Sequence, residues 1–270
     1  MGTIVANIVA IYRKELQSYF ISPLAYLIAG FFWFISGLFF VAMLLGDGGL
    51  IQQVAMMDAQ GQQMGIQIPP FDVPYEFLQQ FLQTIGSLSL FILPMLSMGL
   101  YAEERKRGTL ELLATSPITN WAVATGKLLG VVTFYITMIL PLFVLQIIAL
   151  NAATPPMPLA VPLLAHFGLI LLATTVLSLG MFISSLTDST ILAAILTFVL
   201  VLFLWAIDVV AQAIGGPVGS VLEHLSILNH YTNLIRGTLD TSSVILLGSY
   251  GVLGIFLTAQ SIDALRFQRS

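Results

Sequence analysis

The strongest constraint in this sequence is a run of 60 residues, 128–187, that contains no Asp, Glu, Lys or Arg. A helix rises about 1.5 Å per residue, so about 20 apolar residues cross the ~30 Å hydrocarbon core of a bilayer. The run therefore holds two membrane spans, which the proline-rich stretch 154–158 divides at a hairpin turn. Charged residues make up only 8% of the chain, against about 25% in soluble domains. The predicted fold class is an all-α integral membrane protein.

Uncharged apolar runs elsewhere bring the predicted number of spans to six. They lie at about 24–45, 84–101, 127–150, 163–186, 190–208 and 243–263, within a single transmembrane domain that covers residues 1–270. Pro94 lies inside the second span and predicts a kink there. A cleaved signal peptide is the competing interpretation of the first 45 residues. It is disfavoured because the first apolar run is too long and starts too far from the N-terminus.

The positions of the basic residues predict the orientation of the bundle. With the N-terminus in the cytoplasm, eight of the nine Lys and Arg residues fall on the cytoplasmic side, and only Arg236 falls outside. This asymmetry satisfies the positive-inside rule. We therefore predict a multi-pass protein of the cell (inner) membrane with both termini in the cytoplasm. Residues 46–83 and 214–242 are then extracytoplasmic, and residues 102–126 are cytoplasmic.

Residues 1–22 have the pattern of an amphipathic helix. Apolar residues at positions 5, 9, 12, 16 and 19 recur at helical spacings, whereas Arg13, Lys14 and Gln17 lie elsewhere on the helical wheel. Such a helix lies in the membrane interface with its basic residues near the headgroups. Ser22-Pro23 is expected to end it and to turn the chain into the first span. The alternative is a plain cytoplasmic extension of that span.

A dense cluster of charges lies between the second and third predicted spans. Its residues are Glu103, Glu104, Arg105, Lys106, Arg107, Gly108, Thr109, Leu110 and Glu111, and Ser116-Pro117 ends the stretch. We call residues 103–117 the charged segment. On a helix, Arg107 stands four residues from both Glu103 and Glu111, so opposite charges meet on one face. Gly108 is expected to interrupt this helix, and Thr109 to cap a second helix of about two turns.

The motifs that would indicate catalysis or metal binding are incomplete. Gly126-Lys127 is followed by Leu128 and lacks the first glycine of a phosphate-binding loop, so we expect no ATP hydrolysis by the chain itself. The chain has no cysteine. His224 and His230 are six residues apart, a spacing that on a helix places them on different faces. A separate amphipathic helix is predicted over 217–229. There is no basic arm that would bind nucleic acid, and no pair of nucleophile and base that an intramembrane enzyme needs.

Isolated charges at the ends of the later spans have two interpretations each. Asp188 and Asp208 are 20 residues apart, about 30 Å along a helix, which places them at opposite membrane interfaces. The alternative is a buried proton or substrate site. Arg236 either pairs with Asp240, four residues later, or contacts an extracytoplasmic partner.

Residues 101–118, YAEERKRGTLELLATSPI, resemble the signature of the permease subunits of ABC-2 type transporters. Residues 14–26 are similar to the N-terminal segment of that family, and residues 229–240 to the stretch before its last span. The three segments together most resemble the gliding-motility-associated permeases. The resemblance implies the six-helix fold of type V exporters, with an N-terminal interfacial helix. It also implies that the charged segment forms a short cytoplasmic coupling helix that docks on a separate ATPase.

The same resemblance implies the function and the partners. The chain is expected to be the permease subunit of an ABC exporter, paired with a second copy or a homologous permease. Two ATPase subunits are expected to bind ATP and Mg²⁺, so this chain needs no cofactor or metal of its own. The gliding-type branch often acts with an auxiliary extracytoplasmic protein. The alternative function is a scaffold that transmits ATP-driven motion to such a partner without moving a solute.

Overall fold

The computed structural model describes residues 2–65, 71–110, 118–154 and 156–267; at positions 208 and 265–267 it describes the backbone alone. Eleven α-helices of eight or more residues are defined within these ranges, with no strand. They are α1 Gly2–Ile21, α2 Pro23–Leu45, α3 Leu50–Met64, α4 Val73–Ser97, α5 Gly99–Lys106, α6 Asn120–Asn151, α7 Ala160–Leu186, α8 Thr190–Ile214, α9 Gly216–Leu225, α10 Ile227–Ile235 and α11 Thr241–Phe267.

Six helical stretches in the described part of the chain are long and apolar enough to cross a membrane, which confirms the predicted number. They are 23–64, 73–106, 120–151, 160–186, 190–214 and 241–264. We call the end of the bundle at which α1 and α5 lie the proximal end, and the opposite end, with α3, α9 and α10, the distal end. The helices reach beyond the predicted spans, since a helix continues into the interface wherever its backbone bonds are satisfied. The span limits themselves stay predictions.

The helix of the second predicted span begins at Val73, well before residue 84. Asp72 caps it by accepting a hydrogen bond from the Tyr75 N–H at 3.1 Å, and Pro74 occupies its first turn. Pro94 lies inside this helix, which ends three residues later at Ser97. Proline removes one backbone donor and crowds the preceding turn. The regular helix is therefore interrupted at Met98, one turn after Pro94, although the Met98 backbone itself is helical. The kink at Pro94 stays a prediction.

The N-terminal helix α1 is separate from α2. Ser22 lies between them in an extended conformation, and its hydroxyl accepts a hydrogen bond from the Ala25 N–H at the start of α2. Instead of extending α2, α1 packs along the proximal half of α6. Two glycines on α6 allow this close approach, because a Cβ at Gly126 would lie 2.9 Å from the Ile11 Cβ and one at Gly130 would lie 2.8 Å from the Glu15 Cβ. Small residues spaced by four are a common device for packing membrane helices.

Helix α7 forms the centre of the bundle. It packs against α4, α6, α8, α10 and α11. Its hydroxyl groups bond to the backbone of its neighbours, as where Thr175 Oγ1 donates to the Leu247 carbonyl on α11 at 2.9 Å. By contrast, α2 and α8 leave most of their large apolar side chains exposed, among them Leu27, Phe34, Ile191, Ile195 and Phe203. Apolar side chains around the outside of the bundle are what a lipid environment favours.

The distal stretch predicted as one helix over 217–229 forms two helices, α9 and α10, with a break at Ser226. The Ser226 hydroxyl caps α10 by accepting a hydrogen bond from the Asn229 N–H at 3.1 Å. Because of this break, the rings of His224 and His230 lie 5.5 Å apart. The prediction that they occupy different faces of one helix was wrong, since it assumed an unbroken helix.

Candidate functional site: a buried charge cluster

A buried ammonium group joins three helices at the proximal end. Lys127 Nζ on α6 lies 3.2 Å from Glu15 Oε2 on α1 and 3.0 Å from Glu104 Oε1 on α5. It also donates to the Leu100 carbonyl at 2.7 Å. The Lys127 side chain is only 4% exposed, and those of Glu15 and Glu104 are 12% and 18% exposed. We call Lys127, Glu15 and Glu104 the buried charge cluster.

Because these charges are buried, the stability of each one depends strongly on its partners. Breaking a buried ion pair by removing one partner costs about 3–5 kcal/mol, because the other charge stays away from water without compensation. The Tyr101 ring also faces the cation, with its centroid 5.0 Å from Nζ, a cation–π contact worth about 0.5–2 kcal/mol. Among the described residues, Tyr101 Oη and Glu104 Oε2 are buried without a hydrogen-bond partner.

Helix α5 is also attached to α7. The Ser184 hydroxyl accepts hydrogen bonds from the N–H groups of Tyr101 and Ala102, both at 3.0 Å, and donates to the Met98 carbonyl at 2.7 Å. It thereby satisfies backbone groups that the break between α4 and α5 leaves free. Arg105 adds a second attachment, since its guanidinium donates to the Ser185 carbonyl at 2.8 Å.

Helix α1 is attached to the end of α4 by Tyr19. Its hydroxyl donates to the Leu96 carbonyl at 2.6 Å. Burial, with Glu15 and Glu103 nearby, raises the pKa of the Tyr19 phenol well above its ordinary value, so it remains a neutral donor. The proximal parts of α1, α4, α5, α6 and α7 are therefore connected by side-chain bonds rather than by apolar packing alone.

The outer edge of the cluster is exposed. Glu103 and Arg107 form the expected pair at 3.5 Å, and Lys14 Nζ lies 3.6 Å from Glu104 Oε1. Exposed pairs of this kind contribute about 0–1 kcal/mol each. Gly108 ends α5 with φ +70°, a left-handed conformation that glycine adopts without strain. These contacts orient the start of the charged segment, whereas the buried charge cluster anchors it.

Comparison with protein families decides what kind of membrane protein this is. The family model described as ABC-2 family transporter protein matches residues 9–269. The chain belongs to this ABC-2 family. A comparison with curated proteins gives no match.

Membership in the ABC-2 family confirms the broad resemblance predicted from residues 101–118. It identifies the chain as a multi-pass membrane protein, in agreement with the six apolar helices. ABC-2 membrane proteins are generally non-catalytic and work with an ABC ATPase. Assignment to the gliding-motility branch stays a prediction.

The structure places the predicted site residues of the ABC-2 chain in three groups. Glu104 and Arg105 contact the neighbouring helices, and Leu110 is buried at 3% exposure. Glu103, Lys106, Arg107, Gly108 and Thr109 are exposed. Glu111, Ser116 and Pro117, and with them the pairing of Arg107 with Glu111, lie outside the described residues. Thr109 was expected to cap the second helix. Its backbone is instead already helical, and its hydroxyl donates to the Glu104 carbonyl at 3.2 Å.

Two members of the buried charge cluster were not recognised from the sequence of the ABC-2 chain. Lys127 was considered only as a basic residue of the cytoplasmic side and as part of an incomplete phosphate-binding loop, and Glu15 only as part of a family segment. A signal was present, because Lys127 stands in the apolar sequence of α6 between Gly126 and Gly130. A charge flanked by two small residues at helical spacing indicates that another helix approaches closely there.

The two distal residues predicted in the ABC-2 chain do not pair with each other. Asp240 instead accepts hydrogen bonds from the N–H groups of Ser242 and Ser243 and from the Ser243 hydroxyl, at the start of α11. The Ser243 hydroxyl bond is the largest cause of the lowered pKa of Asp240. The ionised cap therefore stabilises the fold above the ordinary carboxyl range and is lost as the pH falls. The Arg236 side chain is exposed, and its carbonyl accepts a hydrogen bond from the Tyr75 hydroxyl at 2.9 Å.

Proposed function

We propose that the chain is the permease subunit of an ABC exporter, driven by a separate ATPase that docks on the charged segment, residues 103–117. The proximal end would face the cytoplasm of a cell with this protein in its inner membrane. Two permease chains, identical or homologous, would work with two ATPase subunits. ATP and Mg²⁺ would bind to the ATPase, and the chain described here would move in response.

The observation that supports this proposal is the position of Glu104 in the buried charge cluster. Glu104 lies at the start of the charged segment, and the Lys127 ammonium joins it to α1 and α6. Because Arg105 of the same segment bonds to the Ser185 carbonyl, and Ser184 bonds to the preceding turn of α5, a displacement of the segment would be transmitted to α1, α6 and α7.

The magnitudes are consistent with such a transmission. Shifting a two-state equilibrium from 1:99 to 99:1 requires about 5.5 kcal/mol of differential binding. Breaking a buried ion pair costs about 3–5 kcal/mol, and the hydrogen bonds to α7 add to that resistance. The ion pair and these hydrogen bonds together are comparable in size to that driving free energy, and under this proposal α1, α6 and α7 would move with α5.

Substitution of Gly108 tests the docking of the ATPase. Gly108→Val forces a β-branched residue into a left-handed backbone conformation, so the chain beyond it is redirected. We expect this variant to reach the membrane normally and to lose the ATPase that copurifies with the tagged parent from native membranes. The measurement is the amount of ATPase in the purified complex and its rate of ATP hydrolysis.

The matched control is Gly65→Val at the distal end. Gly65 also has a left-handed backbone, with φ +66°, and neither glycine has an atom of the described residues within 4 Å of a Cβ built on it. Both substitutions therefore impose similar local strain, but only one lies in the charged segment. Equal recovery of active ATPase with both variants would refute docking through this segment.

One observation favours the alternative function, a scaffold that acts on an extracytoplasmic partner. Helix α3 projects at the distal end with nearly all its residues exposed, including Ile51, Met56 and Met57. Exposed apolar side chains on a helix that follows the first predicted span, 24–45, suit a protein partner, and the exposed Arg236 with the nearby Asp240 could extend the contact. Solute movement in vesicles that contain only the permease and its ATPase would exclude the scaffold function.

A further inference from the structure

Two polar contacts hold the proximal end of α11 against α6 and α7. On one side, the Asn120 Nδ2 group at the start of α6 donates a hydrogen bond to Asp263 Oδ1 on α11 at 2.6 Å. On the other side, the hydroxyl groups of Ser185 on α7 and Ser261 on α11 are hydrogen-bonded to each other. Residues two apart on a helix point in different directions, so Ser261 and Asp263 fix two faces of the same helix end.

The Asn120 amide depends on its contact with α11. Asn120 is only 4% exposed, and its Oδ1 atom is buried without a hydrogen-bond partner among the described residues. If α11 moved away from α6, the Nδ2 group would lose its bond to Asp263 as well. A buried donor that is left unsatisfied costs the full desolvation penalty of the group, so the start of α6 and the end of α11 resist separation.

Packing also holds α11, mainly against α7. A Cβ at Gly254 would lie 2.5 Å from the Ser178 carbonyl carbon, so the two helices approach closely there. On α6, the Trp121 ring lies 5.8 Å from the Phe256 ring between centroids. Apolar contacts between membrane helices gain little over contacts with lipid, so interhelical hydrogen bonds add a preference for one arrangement. The Asn120–Asp263 bond supplies that preference between α6 and α11.

These contacts lie at the two ends of the charged segment. Arg105, near its start, donates to the Ser185 carbonyl, and the hydroxyl of the same serine contacts Ser261. Asn120 follows the last residue of the segment, Pro117, by three residues. Both ends of the charged segment are therefore connected to the proximal end of α11, one through Ser185 and the other through Asn120.

We propose that Asn120 and Ser261 are positioning residues that make α11 respond to the charged segment. This inference rests on the proposed docking of an ATPase on that segment. The buried charge cluster carries a displacement of the segment to α1 and α6, whereas Asn120 and Ser261 carry it to α11. The helix of the last span then moves with both ends of the segment, instead of following α7 through packing alone.

Hydrogen exchange of the permease–ATPase complex in nanodiscs tests the proposal. The complex that copurifies from native membranes is compared without nucleotide and after trapping with ATP and vanadate, which holds an ATPase in its closed form. Exchange reports the local stability of each helix separately. In the parent complex, we expect the exchange of residues 99–106 on α5 and of residues 256–264 on α11 to change together on trapping.

The double variant Asn120→Leu/Ser261→Ala removes both contacts of α11. It should keep the ATPase and the response of α5, because the buried charge cluster is unchanged, and it should lose more than half of the response of α11. A response of α11 equal to that of the parent would overturn the proposal, since packing on α7 would then suffice. If the double variant does not fold, each single variant should lose part of the α11 response, and two unchanged single variants would overturn the proposal equally.

The matched control is Asn151→Leu/Ser249→Ala, the same two substitutions on the distal half of the same helices. Asn151 and Ser249 are exposed. The Ser249 hydroxyl donates to a carbonyl of its own helix three residues earlier, as the Ser261 hydroxyl does. The control should respond as the parent does. Loss of the α11 response in the control as well would refute a specific role of Asn120 and Ser261.

Failure of the proposed function gives a different result. If no ATPase copurifies with the parent, or if trapping changes the exchange of neither α5 nor α11, docking on the charged segment is refuted and the inference about α11 falls with it. If α5 of the parent responds and α11 does not, the docking stands and only the inference about α11 is wrong.

Discussion

The substitution Lys127→Met is the most direct perturbation of the buried charge cluster. Methionine resembles lysine in length and helix propensity, so the change removes the ammonium and little else. It leaves Glu15 and Glu104 close together, with side chains only 12% and 18% exposed and without the buried cation. Because removal of one partner of a buried pair costs about 3–5 kcal/mol, we expect a destabilisation of that size.

The expected effect is large enough for a thermal assay. For domains near this size, 1 kcal/mol shifts Tm by roughly 2–4 °C, so the substitution should lower Tm by about 6–20 °C. Tm is measured on detergent-purified protein by the fluorescence of its three tryptophans. The Glu15→Gln/Lys127→Met/Glu104→Gln triple variant removes all three charges, and it should recover most of the loss, since a neutral replacement of a buried ion pair is often tolerated.

The matched control is Arg107→Met, which breaks the pair with Glu103. Those two side chains are 73% and 57% exposed, and exposed pairs contribute only about 0–1 kcal/mol. The reasoning is refuted if Lys127→Met melts as close to the parent as Arg107→Met does. It is also refuted if the triple variant is less stable than Lys127→Met, because the cost would then not come from uncompensated charge.

Two further predictions concern packing and topology. Gly130→Leu should destabilise the protein by about 1–3 kcal/mol through overpacking and separate Glu15 from Lys127, because a Cβ there would lie 2.8 Å from the Glu15 Cβ. Gly30→Leu is the control and should be neutral, since no atom of the described residues lies within 4 Å of a Cβ at Gly30. Thermal unfolding of both variants measures the difference, and equal Tm values would contradict the close contact of α1 with α6. In the cysteine-free chain, Gln62→Cys and Ser220→Cys should react with an impermeant thiol reagent added outside intact cells, and Lys106→Cys should react only after the cells are opened. Labelling of Lys106→Cys in intact cells would reverse the proposed orientation.

Local features of the fold could be predicted from the sequence because each depends on a few neighbouring residues. The six spans follow from uncharged apolar runs, the break after α1 from Ser22-Pro23, and the end of α5 from Gly108. The break between α9 and α10 had a local signal too, because serine is a common N-terminal capping residue of helices. The Ser226 hydroxyl accepts a hydrogen bond from the backbone N–H of Asn229, three residues later. That signal was overlooked in favour of the apolar period, which continues across the break.

Only some contacts of the candidate site could be predicted from the sequence, because most of its members are far apart along the chain. Glu103 and Arg107 are four residues apart, so helical periodicity alone predicts their pair. Glu15 and Lys127 are 112 residues apart, and nothing in local periodicity indicates which helix approaches Gly126 and Gly130.

The sequence by itself determined that this chain is a helical membrane protein with six spans, and which segment concentrates its charges. Only the tertiary structure decided that Lys127 is a buried link between α1 and α5, and that Asn120 connects α6 to α11. The physical reason is that membrane insertion depends on the summed hydropathy of contiguous residues, which can be counted along the chain. The partner of a buried charge or amide depends instead on how distant helices are packed against one another.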